Sequence, residues 1–340
     1  MKTKKEYGYD LMLWYEQNKR ALPWRKYKNA YYTWISEIML QQTRVEAVIP
    51  YYERFIKKLP TIEALANCDD EVLRKLWQGL GYYRRCEYMK QAAIQVVNEY
   101  QGILPKEYES LKKLKGIGDY SAAAIASIAY DQNQIAVDGN VLRVFTRILN
   151  SDLDITKSQS KQIIKQEVAK YVENNYGIFN QALMELGATI CIPNGKAKCE
   201  QCVFQTCCLG FQNQNYEQYP KKTVKKARKQ QAICVIIMEC DGEILIHKRD
   251  EKCLLANLYE FITIEKHMLK TQVIKQYETL KIHMIKPLKP QKHLFTHVEW
   301  DMQGYYLKVE TKIAGLWVKK TELKKYPFPS AFLKYLLDIS

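Results

Sequence analysis

Between Leu111 and Arg147 the chain reads LKKLKGIGDYSAAAIASIAYDQNQIAVDGNVLRVFTR, and this stretch constrains the fold more than any other. Glu107 to Leu114 has the spacing of a short helix. Gly116 and Gly118 then flank Ile117, and a run of small residues from Ser121 to Ala129 predicts a second, tightly packed helix. The glycines let the backbone turn sharply and approach a partner closely. Unpaired N–H groups opening the second helix would face outward and suit an anion such as a phosphate. Eighteen positions after Tyr120 comes Asp138, in Val-Asp-Gly-Asn-Val, at the start of a further helix. A phosphate grip followed by a placed carboxylate points to chemistry on a nucleic acid. Taken alone, each piece has a plainer reading, since Asp-Gly also favours turns and Asp caps helices.

The charge balance agrees with a polyanionic partner. There are 52 Lys and Arg against 37 Asp and Glu, a net charge of +15 over 340 residues. That length predicts two domains, each with its own core. The N-terminus MKTKKEYGYD lacks the apolar core of a signal peptide and no run approaches a membrane span, so a soluble, cytoplasmic protein is expected. Ten cysteines in a reducing compartment argue for metal or cluster ligation where they bunch, rather than for disulfides.

From Asp10 the pattern LMLWYEQNKR predicts an amphipathic helix stopped by Pro23 in Leu-Pro-Trp-Arg. Asn29 opens a second helix, Tyr31 to about Gln42, with Trp34, Ile35, Ile38 and Met39 at core spacing and Glu37 among them. Further helices are expected at Val45–Lys57, Asp69–Gln78, Tyr83–Tyr100, Asn140–Leu149, Ser158–Val172 and Phe179–Thr189, so residues 1–212 form an all-α region. Cys191, Cys199, Cys202, Cys207 and Cys208 follow. Four thiolates so close could hold zinc or an iron–sulfur cluster; a single Cys-x2-Cys pair fits the cluster better. Residues 213–230 change character, with six basic residues in the nine from Lys221 to Lys229, and are expected to be a linker. Beyond them β-rich runs at Gln231–Glu239, Glu243–Lys248, Leu280–Ile285, Leu294–Trp300 and Tyr305–Glu310, with a helix near Ser330–Leu337, predict an α+β domain over 231–340.

With these residues assembled, the chain resembles the MutY-type adenine DNA glycosylases of the helix-hairpin-helix superfamily. The resemblance rests on LPWR, SEIMLQQTRV, LWQGLGYY, LKGIGDYSAAAI, AVDGNVLRV, FNQALMELGATIC and the cysteines, in the family's order. It implies a multidomain protein: an all-α core, with a six-helix barrel over about 23–130 and an iron–sulfur module built from about 1–22 and 131–212, then a Nudix-like C-terminal domain. The implied activity is excision of adenine mispaired with 8-oxoguanine or guanine, by flipping the base from a DNA duplex and cutting its N-glycosidic bond.

That bond breaks toward a cationic sugar, so an acid and a nearby anion are both useful. The resemblance makes Glu37 the acid that protonates adenine and Asp138 the carboxylate facing the sugar cation, with Tyr120 and Asn140 orienting them. It makes Arg25, Gln42, Tyr82, Gly116 and Gly118 DNA contacts, Gln42 and Tyr82 as wedges. Endonuclease-III-type relatives carry a lysine where Tyr120 stands; tyrosine cannot form an imine, so an essentially monofunctional glycosylase is expected. A [4Fe–4S] cluster is implied on Cys191, Cys199, Cys202 and Cys208, although seven residues separate the first pair where the family usually has six. The glutamate-rich Nudix helix is absent, which implies recognition without hydrolysis. The family's Phe-Ser-His loop, which meets 8-oxoguanine, reads Phe295-Thr296-His297 here. The implied protein is a monomer.

Overall fold

The structure is a computed structural model and describes residues 2–223 and 227–339. Twelve helices precede the first strand: α1 (Lys4–Asn18), α2 (Ala30–Leu40), α3 (Val45–Lys58), α4 (Ile62–Ala66), α5 (Asp70–Trp77), α6 (Arg84–Tyr100), α7 (Tyr108–Lys113), α8 (Asp119–Tyr130), α9 (Gly139–Ile148), α10 (Ser158–Ala169), α11 (Tyr176–Thr189) and α12 (Leu209–Gln212). Then come β1 (Lys229–Cys240), β2 (Glu243–Lys248), β3 (Tyr259–Glu260), β4 (Ile262–Ile264), α13 (Lys270–Gln276), β5 (Ile282–Pro287), β6 (Gln291–Leu294), β7 (Val298–Val309), β8 (Leu316–Lys319) and α14 (Ser330–Ile339). None of the described helices is long and apolar enough to cross a membrane.

The chain forms two compact units, Met1–Cys68 with Glu87–Val224, and Asp69–Cys86 with Lys225–Ser340. In the helical unit α2 and α11 both pack on α8, whose Ala122, Ala123, Ala124 and Ala126 are buried. Small side chains there let helix axes approach closely. A second core gathers Leu11 of α1, Phe145 of α9, Phe179 of α11 and Phe204 beside the cysteines. Helix α1 begins at Lys4, earlier than its apolar pattern indicates. A reciprocal capping box sets that start: the Glu6 N–H donates to Thr3 and the Thr3 N–H to Glu6.

The second unit carries an eight-stranded sheet of order β3-β2-β1-β7-β5, with β4 paired to β1, β6 to β7 and β8 to β2. Its spine is the parallel pair β1 and β7, Lys229↔Val298 through Glu239↔Lys308. Strand β7 runs unbroken through Gly304, where two separate runs were expected. A Cβ at Gly304 would stand 2.1 Å from the Val235 carbonyl oxygen, so glycine here permits close strand approach and does not end the strand. The expected linker is shorter than 213–230 would make it. The Ile155 N–H donates to the Lys221 carbonyl (3.2 Å) and the Thr223 hydroxyl to Asp154, which ties the chain to the helical unit as far as Thr223. Residues 224–226 of that linker lie outside the described residues.

Candidate active site

Asn29 caps α2 through the Tyr32 N–H, and the helix then buries seven consecutive residues, Thr33 to Met39, Glu37 among them at 6% exposure. A carboxyl so placed is disfavoured as an anion. Burial raises Glu37 to about 7, with the charge of Asp138 adding to the rise and a hydrogen bond from Tyr120 and the charge of Arg25 opposing it. The Tyr120 hydroxyl donates to Glu37 Oε2 at 2.5 Å and lies 3.7 Å from Met184 Sδ. Burial also raises Tyr120 well above the phenolic range, so it serves as a neutral donor.

Asp138 is the N-cap of α9. Its Oδ1 accepts the Val141 N–H (2.7 Å) and its Oδ2 the Asn140 amide (2.7 Å). Burial pushes Asp138 upward, while those hydrogen bonds and the Arg143 charge hold it down. Of the two interacting carboxylates, Asp138 has the donors that favour the anion, and Glu37 has one phenol. Burial prevails at both, so Asp138 also stands above its ordinary value, but it alone has several donors aimed at an anion.

Behind Asn140 stands a residue the sequence reading passed over. Arg143 Nη2 donates to Asn140 Oδ1 (2.9 Å) and the Gly187 carbonyl (2.7 Å), and its Nε to the Cys191 carbonyl (2.9 Å). It links the Asp138 support to the first cysteine of the cluster region. Its spacing of three from Asn140 on one helix was the available signal.

Cys191, Cys199, Cys202 and Cys208 line one cavity together with Arg147 and Phe204; Cys207 does not. The Cys207 thiol turns away to the Phe204 carbonyl (3.4 Å). Arg147 Nη1 donates to Cys191 Sγ at 3.3 Å. No described group of three or more His, Cys, Asp or Glu is gathered tightly enough for a single metal ion. Four thiols spread round a cavity suit a larger cuboidal cluster instead. Burial pushes Cys202 up to about 12 and Cys208 up to about 11, so thiolates there would need a compensating positive charge, which a bound metal cluster would supply.

The hairpin turn lies between α7 and α8. Gly116 has φ +77°, and a Cβ there would meet Tyr88 at 2.7 Å. Gly118 is different: its φ is −94° and nothing lies within 4 Å of an added Cβ. It caps α8 with no side-chain hydrogen bond, so the helix opens onto free space where a phosphate can approach.

Arg25, expected to contact DNA, has partners within its own unit. Its Nη2 donates to Glu185 (2.9 Å), its Nη1 to the Arg20 carbonyl (3.2 Å), and its guanidinium lies over the Tyr15 ring. Against the effect of burial, Arg20 and Arg25 hold Glu185 below its ordinary value. This packing commits Arg25 inside the helical unit. Gln42 is exposed, with φ 60°. Tyr82, in the other unit, has φ 49° and is 49% exposed. Left-handed backbone costs a non-glycine residue roughly 1–2 kcal/mol, and here it presents both side chains outward.

In the second unit the Tyr82 hydroxyl and Thr296 Oγ1 are 3.0 Å apart. Thr296 and His297 are exposed, whereas the half-buried Phe295 ring packs edge-on to Trp300 at 4.9 Å. Glu260, from the Tyr-Glu-Phe stretch, is 3% exposed and is bound by Arg249, His247 Nε2 (2.8 Å) and Thr263 (3.1 Å).

Residues 35–170 match the family model described as an HhH-GPD superfamily base excision DNA repair protein, and 233–338 match a NUDIX domain. An adenine DNA glycosylase of Rattus norvegicus is 33% identical, over 88% of this chain and 70% of that protein. One from Buchnera aphidicola subsp. Schizaphis graminum is 33% identical, over 84% and 83%. A thermostable thymine-DNA glycosylase structure has a TM-score of 0.56 at 26% identity, over 62% of this chain and 97% of that one. A non-covalent endonuclease III–DNA complex shares the fold alone, with a TM-score of 0.53 at 21% identity, over 63% and 99%. Fold and site thus define a helix-hairpin-helix base excision DNA repair protein carrying a Nudix-like domain. Within that class the chain belongs to the MutY-type adenine DNA glycosylases.

Proposed function

We propose that this protein removes adenine mispaired with 8-oxoguanine or guanine in duplex DNA, by flipping the base and hydrolysing its N-glycosidic bond. The observation that carries the reading is an unequally supported pair: Glu37, buried, raised to about 7 and bound by one phenol, and Asp138, which accepts two N–H donors. Glu37 gives its proton to adenine, which makes the base a leaving group. Asp138 faces the positive charge that develops on the sugar and lowers the barrier electrostatically or by transient capture. Asn140 holds Asp138 in place, and Tyr120 orients Glu37. Because position 120 is a neutral phenol and not an amine, no Schiff base forms there, and the protein is an essentially monofunctional glycosylase.

Gly116, Gly118 and the open start of α8 receive a phosphate. Gln42 and Tyr82 fill the gap that the flipped base leaves, which itself costs roughly a few kcal/mol of unstacking. Cys191, Cys199, Cys202 and Cys208 would hold a [4Fe–4S] cluster, which when bound would fix the 191–208 loop for contact with DNA. The Phe295-Thr296-His297 loop reads the base opposite adenine. The net charge of +15 supports binding to DNA, and the protein acts there as a monomer.

The test is single-turnover excision on duplexes holding A·8-oxoguanine, A·G, A·T and U·G. Rapid loss of adenine opposite 8-oxoguanine, slower loss opposite guanine and none from A·T is the expected order. Excision of uracil with efficient strand cleavage would replace this reading by a lyase of the endonuclease III kind. Anaerobically purified protein should contain about four irons; stoichiometric zinc without iron would remove the cluster assignment.

A further inference from the structure

Segment Asp69–Cys86 is helical and precedes the hairpin in sequence, yet it belongs to the same compact unit as the C-terminal sheet. Along and just beyond α5, Glu71, Lys75 and Gln78 are spaced by four and three residues, so they share one face. That face is engaged throughout by the sheet domain. Glu71 Oε1 accepts from the Tyr259 hydroxyl (2.8 Å) and Lys248 Nζ (3.4 Å). Lys75 Nζ donates to the Tyr326 carbonyl (3.3 Å) and to Gln78 Oε1 (2.5 Å). Gln78 Nε2 donates to the Phe328 carbonyl (3.0 Å).

Immediately after Gln78 the backbone turns through Gly79 (φ 104°), Gly81 (φ 72°) and Tyr82 (φ 49°). Inside the turn, Trp77 Nε1 donates to the Gly81 carbonyl (3.0 Å), and Arg85 Nη2 donates to the Leu80 and Gly81 carbonyls (3.2 Å each). The Arg85 guanidinium also covers the Tyr82 ring at 5.5 Å. Tyr82 ends on Thr296. Gly79 and Gly81 take positive φ freely, whereas Tyr82 does so only while its surroundings hold it. Gln78 is the last side chain before that turn, and its amide is fastened to the backbone just ahead of α14.

We infer that Gln78, with Lys75, is a positioning element for opposite-base recognition: it latches the Tyr82 turn to the 326–328 backbone, so that Tyr82 meets Thr296 in register. This rests on the reading of the Phe295-Thr296-His297 loop as the sensor of the opposite base. Neither side chain touches the reacting atoms. What they control is where the Tyr82 ring stands relative to that loop.

The experiment uses the full-length protein and single-turnover excision on A·8-oxoguanine and A·G duplexes. Gln78→Glu keeps the size but removes the N–H donor, and Gln78→Met does so without adding charge. Both should narrow the preference for 8-oxoguanine over guanine by roughly threefold to tenfold, the scale of one lost hydrogen bond. Iron content should change less than about twofold, since the cysteines lie in the other unit, and the rate on A·G should fall less than the rate on A·8-oxoguanine. The decisive reading is a double-mutant cycle with Thr296→Ala. If Gln78 acts through the Tyr82–Thr296 contact, Gln78→Met has little further effect once Thr296 is gone. Additive effects, or an unchanged preference in both Gln78 variants, overturn the latch. A wild-type protein that does not distinguish the two duplexes overturns the sensor reading and the latch with it. Wild-type discrimination that survives in the Gln78 variants overturns the latch alone.

Discussion

Glu37 in the helical unit and Glu260 in the C-terminal unit are both buried, and the protein treats them in opposite ways. Glu260 is surrounded by Arg249, His247 and Thr263. Glu37 has one phenolic donor, no ion pair among the described residues, and a value raised to about 7. Where a buried carboxylate is structural, the fold supplies a cation. At Glu37 it supplies a neutral phenol instead. Removing a partner from a buried pair is costly, whereas an unpartnered buried acid is a liability that its own removal relieves.

The largest effect should separate the two most sharply. Glu37→Gln is expected to lower single-turnover excision on the order of 10³-fold or more, while binding to mispaired DNA stays within about threefold, because the phosphate contacts lie elsewhere. Asp138→Asn should lose a comparable factor by removing the anion opposite the sugar. Near wild-type excision by Glu37→Gln would take Glu37 out of the mechanism. Tyr120→Lys should place an amine in the same pocket, so borohydride would trap an enzyme–DNA adduct that the wild type barely forms.

Stability should move in opposite directions for the same substitution. The Glu37 carboxyl rises from 4.5 to about 7 on folding. Below pH 4.5 it is protonated in both states and costs nothing. Between pH 4.5 and 7 the unfolded chain ionises while the folded chain keeps its proton, so stability falls as pH rises, by about 3 kcal/mol in all. Glu37→Gln should therefore be more stable than wild type at pH 8 and similar at pH 4, by denaturant unfolding. Glu260→Gln should destabilise at pH 8 by roughly 1–3 kcal/mol, since Arg249 loses its counter-charge inside the unit. The acid role gives a second check, with excision falling above about pH 7 as Glu37 loses its proton. Two substitutions of the same sign would end the comparison.

The places of Glu37 and Asp138 in the fold were legible because they rest on local signals. Asp138 announces itself as an N-cap before an apolar helix, and Glu37 sits among core residues of a helix with an Asn cap. The partners were not legible, because they come from distant segments. Glu185 meets Arg25 across 160 positions, and no periodicity shows that an arginine beside a proline and a tryptophan turns inward. Gly304 reads as a break, yet a parallel neighbour makes it the condition of a continuous strand. The membership of Asp69–Cys86 in the C-terminal unit was equally hidden, since α5 has the pattern of any amphipathic helix.

The smallest effect concerns the loop in the unit that kept its charge paired. Thr296 is exposed and its hydroxyl lies 3.0 Å from that of Tyr82. Guanine offers an acceptor at N7, whereas 8-oxoguanine offers an N–H there. A hydroxyl can accept from one and donate to the other, so by itself it separates them weakly. An exposed neutral hydrogen bond is worth about 0.5–1.5 kcal/mol, which sets the scale for Thr296→Ala: a narrowing of the A·8-oxoguanine to A·G ratio by a few-fold. Changing Phe295 and His297 as well should narrow it much further, because the Phe295 ring anchors the loop on Trp300. The measurement is single-turnover excision and binding on both duplexes for the single variant, the triple variant and residues 1 to 225. If the shortened chain still removes adenine and keeps the wild-type ratio, the sheet domain does not read the opposite base. The division of labour between the two buried glutamates would then stand without a recognition role for the second unit.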